Sequence, residues 1–395
     1  MPLAKARAII DAAIAPIDRV EHVRVQDANG RVLAQDVDAD ADVPPFSRAA
    51  MDGYAVRAAD TAGASRESAV TLRLVGQTFT GQVSSRAVGR GECIEVATGA
   101  PLPDGADAVV IVEDTDAATA DTVRLFASVQ PGQNVGRQGA DISSGQTVLR
   151  AGTFINAARA GALSALGLTS VEVYAKPRVA ILSTGDEIVE PGVPLAPGQI
   201  YDINKVTLSA VVSDHGGIPV PYRTAVDTIE DLSNAVDNCL AEDLLVFSGG
   251  SSVGRRDLIL DVIVAKGEIL FHGIAVKPGK PTAFGRIGRR LVFGMPGYPT
   301  SCLSNAYILL APALRRIARL PAQTARALTL PLGSRITSVI DRHQFYTVRV
   351  ENGQAVPAFK ASGDITSMSQ ADGYIEVPVG VGSVDKDELV EVTLF

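Results

Sequence analysis

Asp243–Asp257 reads DLLVFSGGSSVGRRD, and this stretch decides the architecture. LLVFS is an unbroken apolar run, short enough for a strand buried on both faces, and a Gly-Ser turn follows it at once. Asp257 to Lys266 then has helical spacing, so the whole segment reads as a βα unit. The same grammar occurs upstream: Arg178 to Leu182 is a mostly apolar run, STGDE turns the chain, and Lys205 to His215 fits a helix. Two such units predict a parallel α/β sheet. In open sheets of that class ligands bind beyond the carboxyl ends of the strands, where both STGDE and SGGSS fall.

Outward from this centre the character changes. MPLAKARAIIDAAIAPI has an apolar pattern broken by Lys5, Arg7 and Asp11, which suits an amphipathic helix and not a signal peptide. Residues 20 to 150 are rich in Val, Gly, Asp and Pro, with alternating runs such as Val70 to Val75 and Ala108 to Val112, so short strands and turns are expected. Thr153 to Leu168 has helical spacing with Gly167 placed to end it. Beyond Pro321, strand-like runs (Ala327 to Leu330, Phe345 to Val350, Tyr374 to Val377, Glu388 to Phe395) predict a closing β-rich domain. The fold class is therefore multidomain α/β, with a central parallel-sheet domain and additional β-rich domains.

Composition sets further bounds. With 395 residues, 46% of them hydrophobic, the chain has material for several cores. Its formal charge of −8, from 44 acidic and 36 basic residues, gives no general attraction to nucleic acid or to an anionic membrane. No apolar run approaches the roughly 20 residues that span a bilayer. Cys93, Cys239 and Cys302 lie far apart, which suggests neither a disulfide framework nor a zinc site and fits a reducing cytoplasm. The four histidines show no HxxxH or HExxH spacing.

The chemistry must come from turns. Ser248 to Asp257 joins serines, glycines, Arg255, Arg256 and a carboxylate directly after a strand, and exposed backbone N–H groups there can cradle an anion. Neither the P-loop nor GxGxxG is present, and a Gly-rich turn without a ligand would look much the same. VKPGKPTAFG sets Lys277 and Lys280 on a turn stiffened by Pro278, a natural oxyanion binder if it is not simply a solvated loop. LVFGMPGYPTS adds a turn shaped by Gly294, Pro296, Gly297 and Pro299 that carries Thr300 and Ser301. Asp52, Asp141, Asp186, Glu187 and Asp257 stand in Gly-flanked settings, and grouped carboxylates suit magnesium, although each alone could be a turn or cap residue. No GxSxG elbow points to a serine nucleophile.

PPFSRAAMDGYAV, EVATGAPLPDGADAVV, GQNVGRQGAD, ILSTGDEIV, GQIYDIN, VFSGGSSVGRRD, VKPGKPTAFG and GMPGYPTS, in this order over nearly the whole chain, resemble the molybdopterin molybdenumtransferase family, which includes MoeA and the gephyrin E domain. The resemblance implies an elongated homodimer with four domains per chain. These are 1–20 plus 175–320 (central α/β), 21–40 plus 145–174 (linking and dimerisation), 41–144 (β-rich, with MDGYA and ATGAP) and 321–395 (C-terminal, barrel-like). It implies insertion of molybdate into adenylylated molybdopterin, with AMP released as the phosphoanhydride is cleaved with Mg2+.

The site implied by the resemblance is shared, with Asp52, Thr98 and Asp141 completing the partner subunit's pocket. Ser248, Gly249, Gly250, Ser252, Pro281, Pro296, Pro299 and Ser301 would line the cofactor, together with Arg342 and Ser362 from the C-terminal domain. Lys277 and Lys280 would hold oxyanions, while Asp186, Glu187 and Asp257 would serve the metal and the attacking water. A separate adenylyltransferase and apo-molybdoenzymes are the implied partners. Many members have Asn at Tyr298, Glu or Asp at Arg255, and Arg at Thr347, so a tungstate-preferring insertase stays open. So do a molybdopterin adenylyltransferase, which needs only the central domain, and a non-catalytic scaffold of the same fold.

Overall fold

The computed structural model describes residues 1–225, 228–249, 258–324 and 326–395. Contacts divide the chain into two units, one of Met1–Glu21, Gly30–Val32 and Val173–Phe395, the other of His22–Asn29 and Leu33–Glu172.

The first unit is built on a six-stranded sheet. Labelling its elements in chain order gives helix α1 (Leu3–Ala13), β1 (Arg178–Ser183), α2 (Ile203–Asp214), β2 (Ile218–Pro221), α3 (Ile229–Cys239) and β3 (Leu244–Ser248). Then come α4 (Leu258–Lys266), β4 (Glu268–His272), β5 (Ala283–Ile287), β6 (Arg290–Met295), α5 (Pro299–Asn305), a π-helical turn (Ala306–Leu310) and α6 (Ala311–Ile317). The strand order is β2-β1-β3-β6-β5-β4. The first four strands are parallel, as the two βα units require, and the β5–β6 hairpin and β4 extend the sheet antiparallel. Ser183 pairs with Ser248, and Ser248 with Met295, so three strands end in one row.

Both faces of this sheet are covered, which explains the unbroken apolar runs. Val179, Ile181, Leu244, Val246 and Phe293 pack with α1, α2, α5 and α6, while Ala180, Leu182, Leu245, Phe247 and Val292 pack with α3 and α4. Phe247, Phe284 and Phe293 are fully buried, each stabilising the fold by roughly 1.5–3 kcal/mol. Leu3, Ala6 and Ile10 of α1 enter the first of these cores, and Arg19 grips Asp243 with two hydrogen bonds of 2.7 and 2.8 Å just before β3. Asp202 caps α2 through the N–H of Lys205, and Thr228 caps α3 through that of Asp231.

The C-terminal strands of this unit form a second sheet. His343–Glu351, Gly373–Val377, Leu389–Leu394 and Ala327–Pro331 pair antiparallel in that order, over a core containing Val348, Ile375 and Val392. Val276–Lys277 joins this sheet by pairing parallel with His343 and Gln344. A segment that follows β4 of one sheet thus becomes an edge of the other.

The second unit carries a six-stranded sheet ordered Ala108–Ile111, Gly53–Val56, Glu92–Val96, Val70–Thr78, Thr122–Leu125, Thr115–Thr119. Gly53 is obligatory there, because a side chain would begin 2.0 Å from the carbonyl oxygen of Val110. The helix read from Thr153 to Leu168 spans Ala157–Ala165, capped by the Asn156 side chain, and Gly167 leaves it at a φ of +75°. Cys93, Cys239 and Cys302 are free and buried, and burial pushes each thiol pKa up to about 12.

Candidate functional site

The row formed by the ends of β1, β3 and β6 sends out three turns, and a single amide ties two of them together. Asn204, in the first turn of α2, is buried and donates from Nδ2 to Ser248 Oγ (2.7 Å) and to the Gly297 carbonyl (2.8 Å). The third turn joins through the backbone, where the N–H of Thr184 donates to the Ser248 carbonyl (2.9 Å). Gly249 takes a φ of +126°, and a side chain on it would begin 2.3 Å from the Thr184 carbonyl oxygen. Both facts demand glycine. Ser248 lies inside the fold, where its hydroxyl accepts from Asn204, so it anchors the turn. Asp186 and Glu187 are exposed in the turn after β1. Gly250, Ser252, Arg255, Arg256 and Asp257 lie outside the described residues.

The lysine loop is fastened in the same way. Asn305, the last residue of α5 and fully buried, donates from Nδ2 to the Gly279 carbonyl (2.8 Å) and to Thr282 Oγ1. Thr282 Oγ1 donates to the same carbonyl (2.9 Å). Gly279 has a φ of +100°, and a side chain there would collide with the Asn305 amide. Lys280 is exposed and Lys277 half-buried, and among the described residues neither makes an ion pair. Two cations on a fixed loop, with no carboxylate partner among the described residues, suit an incoming oxyanion.

Pro299 begins α5, which buries Ser301 in its first turn next to buried Thr300. Thr300 binds the C-terminal region twice, its N–H donating to the Ser362 carbonyl (3.1 Å) and its hydroxyl to the Asp364 carbonyl (2.8 Å). Ser362 is therefore brought to the PGYPTS turn. Arg342 precedes the strand that pairs with Val276–Lys277, and its Nε lies 3.5 Å from Asp341. Pro281 is half-buried beside Lys280, and Pro296 is buried after β6. Of the departures from the family pattern, Tyr298 is exposed, Thr347 is buried with its hydroxyl unpartnered among the described residues, and Arg255 is not described.

In the second unit Asp52 and Thr98 meet. Asp52 Oδ1 accepts from the Thr98 N–H (2.6 Å) and hydroxyl (2.8 Å), and these bonds hold its pKa below the ordinary carboxylate value. The aspartate is exposed and anionic at neutral pH. Asp141 lies on a different turn, where its N–H donates to the Val43 carbonyl (3.0 Å).

The roles of Asn204 and Asn305 escaped the sequence reading. GQIYDIN contains Asn204 but nothing in it names a partner 44 residues away. The available signal was an amide placed inside a helix, where asparagine is a poor choice unless its side chain is used elsewhere.

This α/β sheet with its strand-end turns falls almost entirely in residues 180–316, which match the model described as "Probable molybdopterin binding domain", and that match gives the class. Residues 1–167 match the MoeA N-terminal region (domains I and II), and residues 329–395 the MoeA C-terminal region (domain IV). The chain belongs to the MoeA family. It is 34% identical over 378 residues to molybdopterin molybdenumtransferase 2 of Mycobacterium tuberculosis, covering 92% of each chain. To the molybdopterin molybdenumtransferase of Haemophilus influenzae it is 30% identical, over 95% of this chain and 94% of the other. A crystal structure of a molybdopterin biosynthesis MoeA protein from Pyrococcus horikoshii superposes with a TM-score of 0.87 at 40% identity, covering 100% of this chain and 98% of that one. Among the described residues no helix is long and apolar enough to cross a membrane.

Proposed function

We propose that this chain is a molybdopterin molybdenumtransferase that takes adenylylated molybdopterin and molybdate, places the metal between the dithiolene sulfurs, and releases AMP in the cytoplasm. The observation that carries the reading is the lysine loop: two cations that make no ion pair among the described residues, on a loop held by Asn305, in a chain that matches the family from end to end. Lys277 and Lys280 bind the oxyanion and stabilise negative charge that develops when the phosphoanhydride breaks. Ser301, Arg342 and Ser362 orient the molybdate, and the glycine turn at Gly249 admits the pterin phosphate close to the backbone.

Asp186 and Glu187, adjacent and exposed, are hard oxygen donors that fit Mg2+, which takes few ligands from protein and the rest from water and phosphate. When bound, the ion would neutralise phosphate charge.

Asp52, Thr98 and Asp141 act on the partner subunit's substrate in a homodimer, and each chain contributes four domains to that assembly. The test is AMP release from adenylylated molybdopterin with Mg2+ and either molybdate or tungstate. Release that depends on the oxyanion supports the insertase and ranks the two metals; no release from a folded dimer supports a scaffold. Mixing inactive Asp52→Ala with Lys280→Ala protein, at molybdate well below the raised KM of the latter, should bring activity up to about a quarter of wild type through hybrid dimers, and no restoration would remove the shared site.

A further inference from the structure

Away from the strand-end turns, the first unit contains a cavity of about 300 Å³ at the opposite end of α2, at the lower bound for small-molecule sites. Asn204 marks the site end of α2 and His215 follows its last turn, roughly 16 Å away at 1.5 Å per residue. One wall is aromatic: the Phe395 ring lies between Tyr307 (5.1 Å between centroids) and Tyr374 (5.8 Å). Such a surface takes a flat ring.

Arg315 and Arg316 line this cavity, and no acidic side chain does among the described residues. Arg315 donates from Nε and Nη2 to the Pro321 carbonyl (3.0 and 2.8 Å), yet makes no ion pair among the described residues. Burial pulls its pKa down. Its neighbour Arg316 is already paired with Asp11. Burial, and then Arg315, lower the pKa of His215, which Asp214 only partly opposes, so the imidazole is neutral at pH 7 and supplies no second cation. Arg315 keeps unused N–H donors at its Nη atoms.

We propose that this cavity binds a small aromatic anion, its ring against Tyr307, Tyr374 and Phe395 and its acidic group on Arg315. The site is separate from the oxyanion turns and does not depend on the insertase reading. α6 and the π-helical turn supply Arg315 and Tyr307, and the chain just ahead of them supplies Asn305 and Ser301. The same stretch of chain therefore serves both places.

The probe is 2-naphthoate, with 2-naphthamide as its uncharged counterpart, followed by calorimetry and saturation-transfer NMR on the full chain. The carboxylate should bind once per chain and at least about tenfold more tightly than the amide. Arg315→Gln should erase that difference while keeping the thermal midpoint, and Ala311→Phe, which fills the cavity, should abolish both. Lys280→Ala should leave naphthoate binding intact. No binding down to a Kd of about 1 mM, equal affinity for acid and amide, undiminished binding to folded Arg315→Gln, or loss of binding in Lys280→Ala would each overturn the proposal.

Discussion

The strand-end turns of the α/β unit and the MDGYA–ATGAP pair of the β-rich unit arrive at well-placed polar groups by opposite routes. In the first, the glycine and lysine turns are fastened from beneath by buried amides, Asn204 and Asn305, that never need to touch a ligand. In the second, Asp52 and Thr98 hold each other at the surface. The backbone of a turn fastened the first way cannot be displaced without disturbing the core, although an exposed side chain on it can be removed; a site built the second way can lose its chemistry and keep its fold.

The sharpest way to break this contrast is at Gly249. Gly249→Ala requires a left-handed backbone with a side chain driven into the Thr184 carbonyl, and it should cost about 3 kcal/mol in denaturant unfolding together with nearly all AMP release. Unfolding unchanged from wild type would show that the turn is not packed as described. Asn204→Ala comes next: it strands the Gly297 carbonyl and Ser248, and should lose about 2 kcal/mol with turnover about tenfold lower. If stability falls while turnover holds, the amide is structural only.

Lys280→Ala should leave unfolding unchanged and raise the KM for molybdate about tenfold or more, because an exposed ammonium with no ion pair among the described residues contributes to binding and little to folding. Asp52 combines a small effect on stability, confined to acid pH, with a full effect on activity. Its folded pKa lies below the ordinary 3.8. The stabilisation it brings is therefore complete above pH about 4 and is lost as pH falls through the folded value. Asp52→Asn should abolish activity and flatten that acid limb in a pH series of unfolding midpoints. An unchanged limb would mean that the Thr98 bonds are not made in solution.

What the sequence could and could not disclose follows the same division. β1 and β3 were legible because strands covered on both faces have to be continuous apolar runs, and the helix at Ala157–Ala165 because Asn156 and Gly167 punctuate it. α3 was not read, although Thr228 and Asp231 form a capping pair, since its apolar face is only Leu232, Val236 and Cys239. The β5–β6 hairpin was hidden between two Gly-Pro segments that drew attention as turns. The π-helical turn consists of ordinary Ala, Tyr, Ile and Leu, and its register is set by packing, not by residue type. At the site, charges and glycines announced themselves, whereas the two asparagines depend on partners 44 and 26 residues distant, which no local pattern encodes.

The three buried cysteines lend themselves to a use unrelated to catalysis. Alkylating reagents attack the thiolate, and a thiol with a pKa of about 12 presents that form in fewer than about one molecule in 10⁴ at neutral pH. The folded chain should therefore be nearly inert to iodoacetamide, and each cysteine becomes a clock that starts only when its surroundings open. Cys93 belongs to the β-rich unit, Cys239 and Cys302 to the α/β unit. Mass spectrometry of the alkylated peptides would thus time the breathing of the two halves separately, in one tube and without a label.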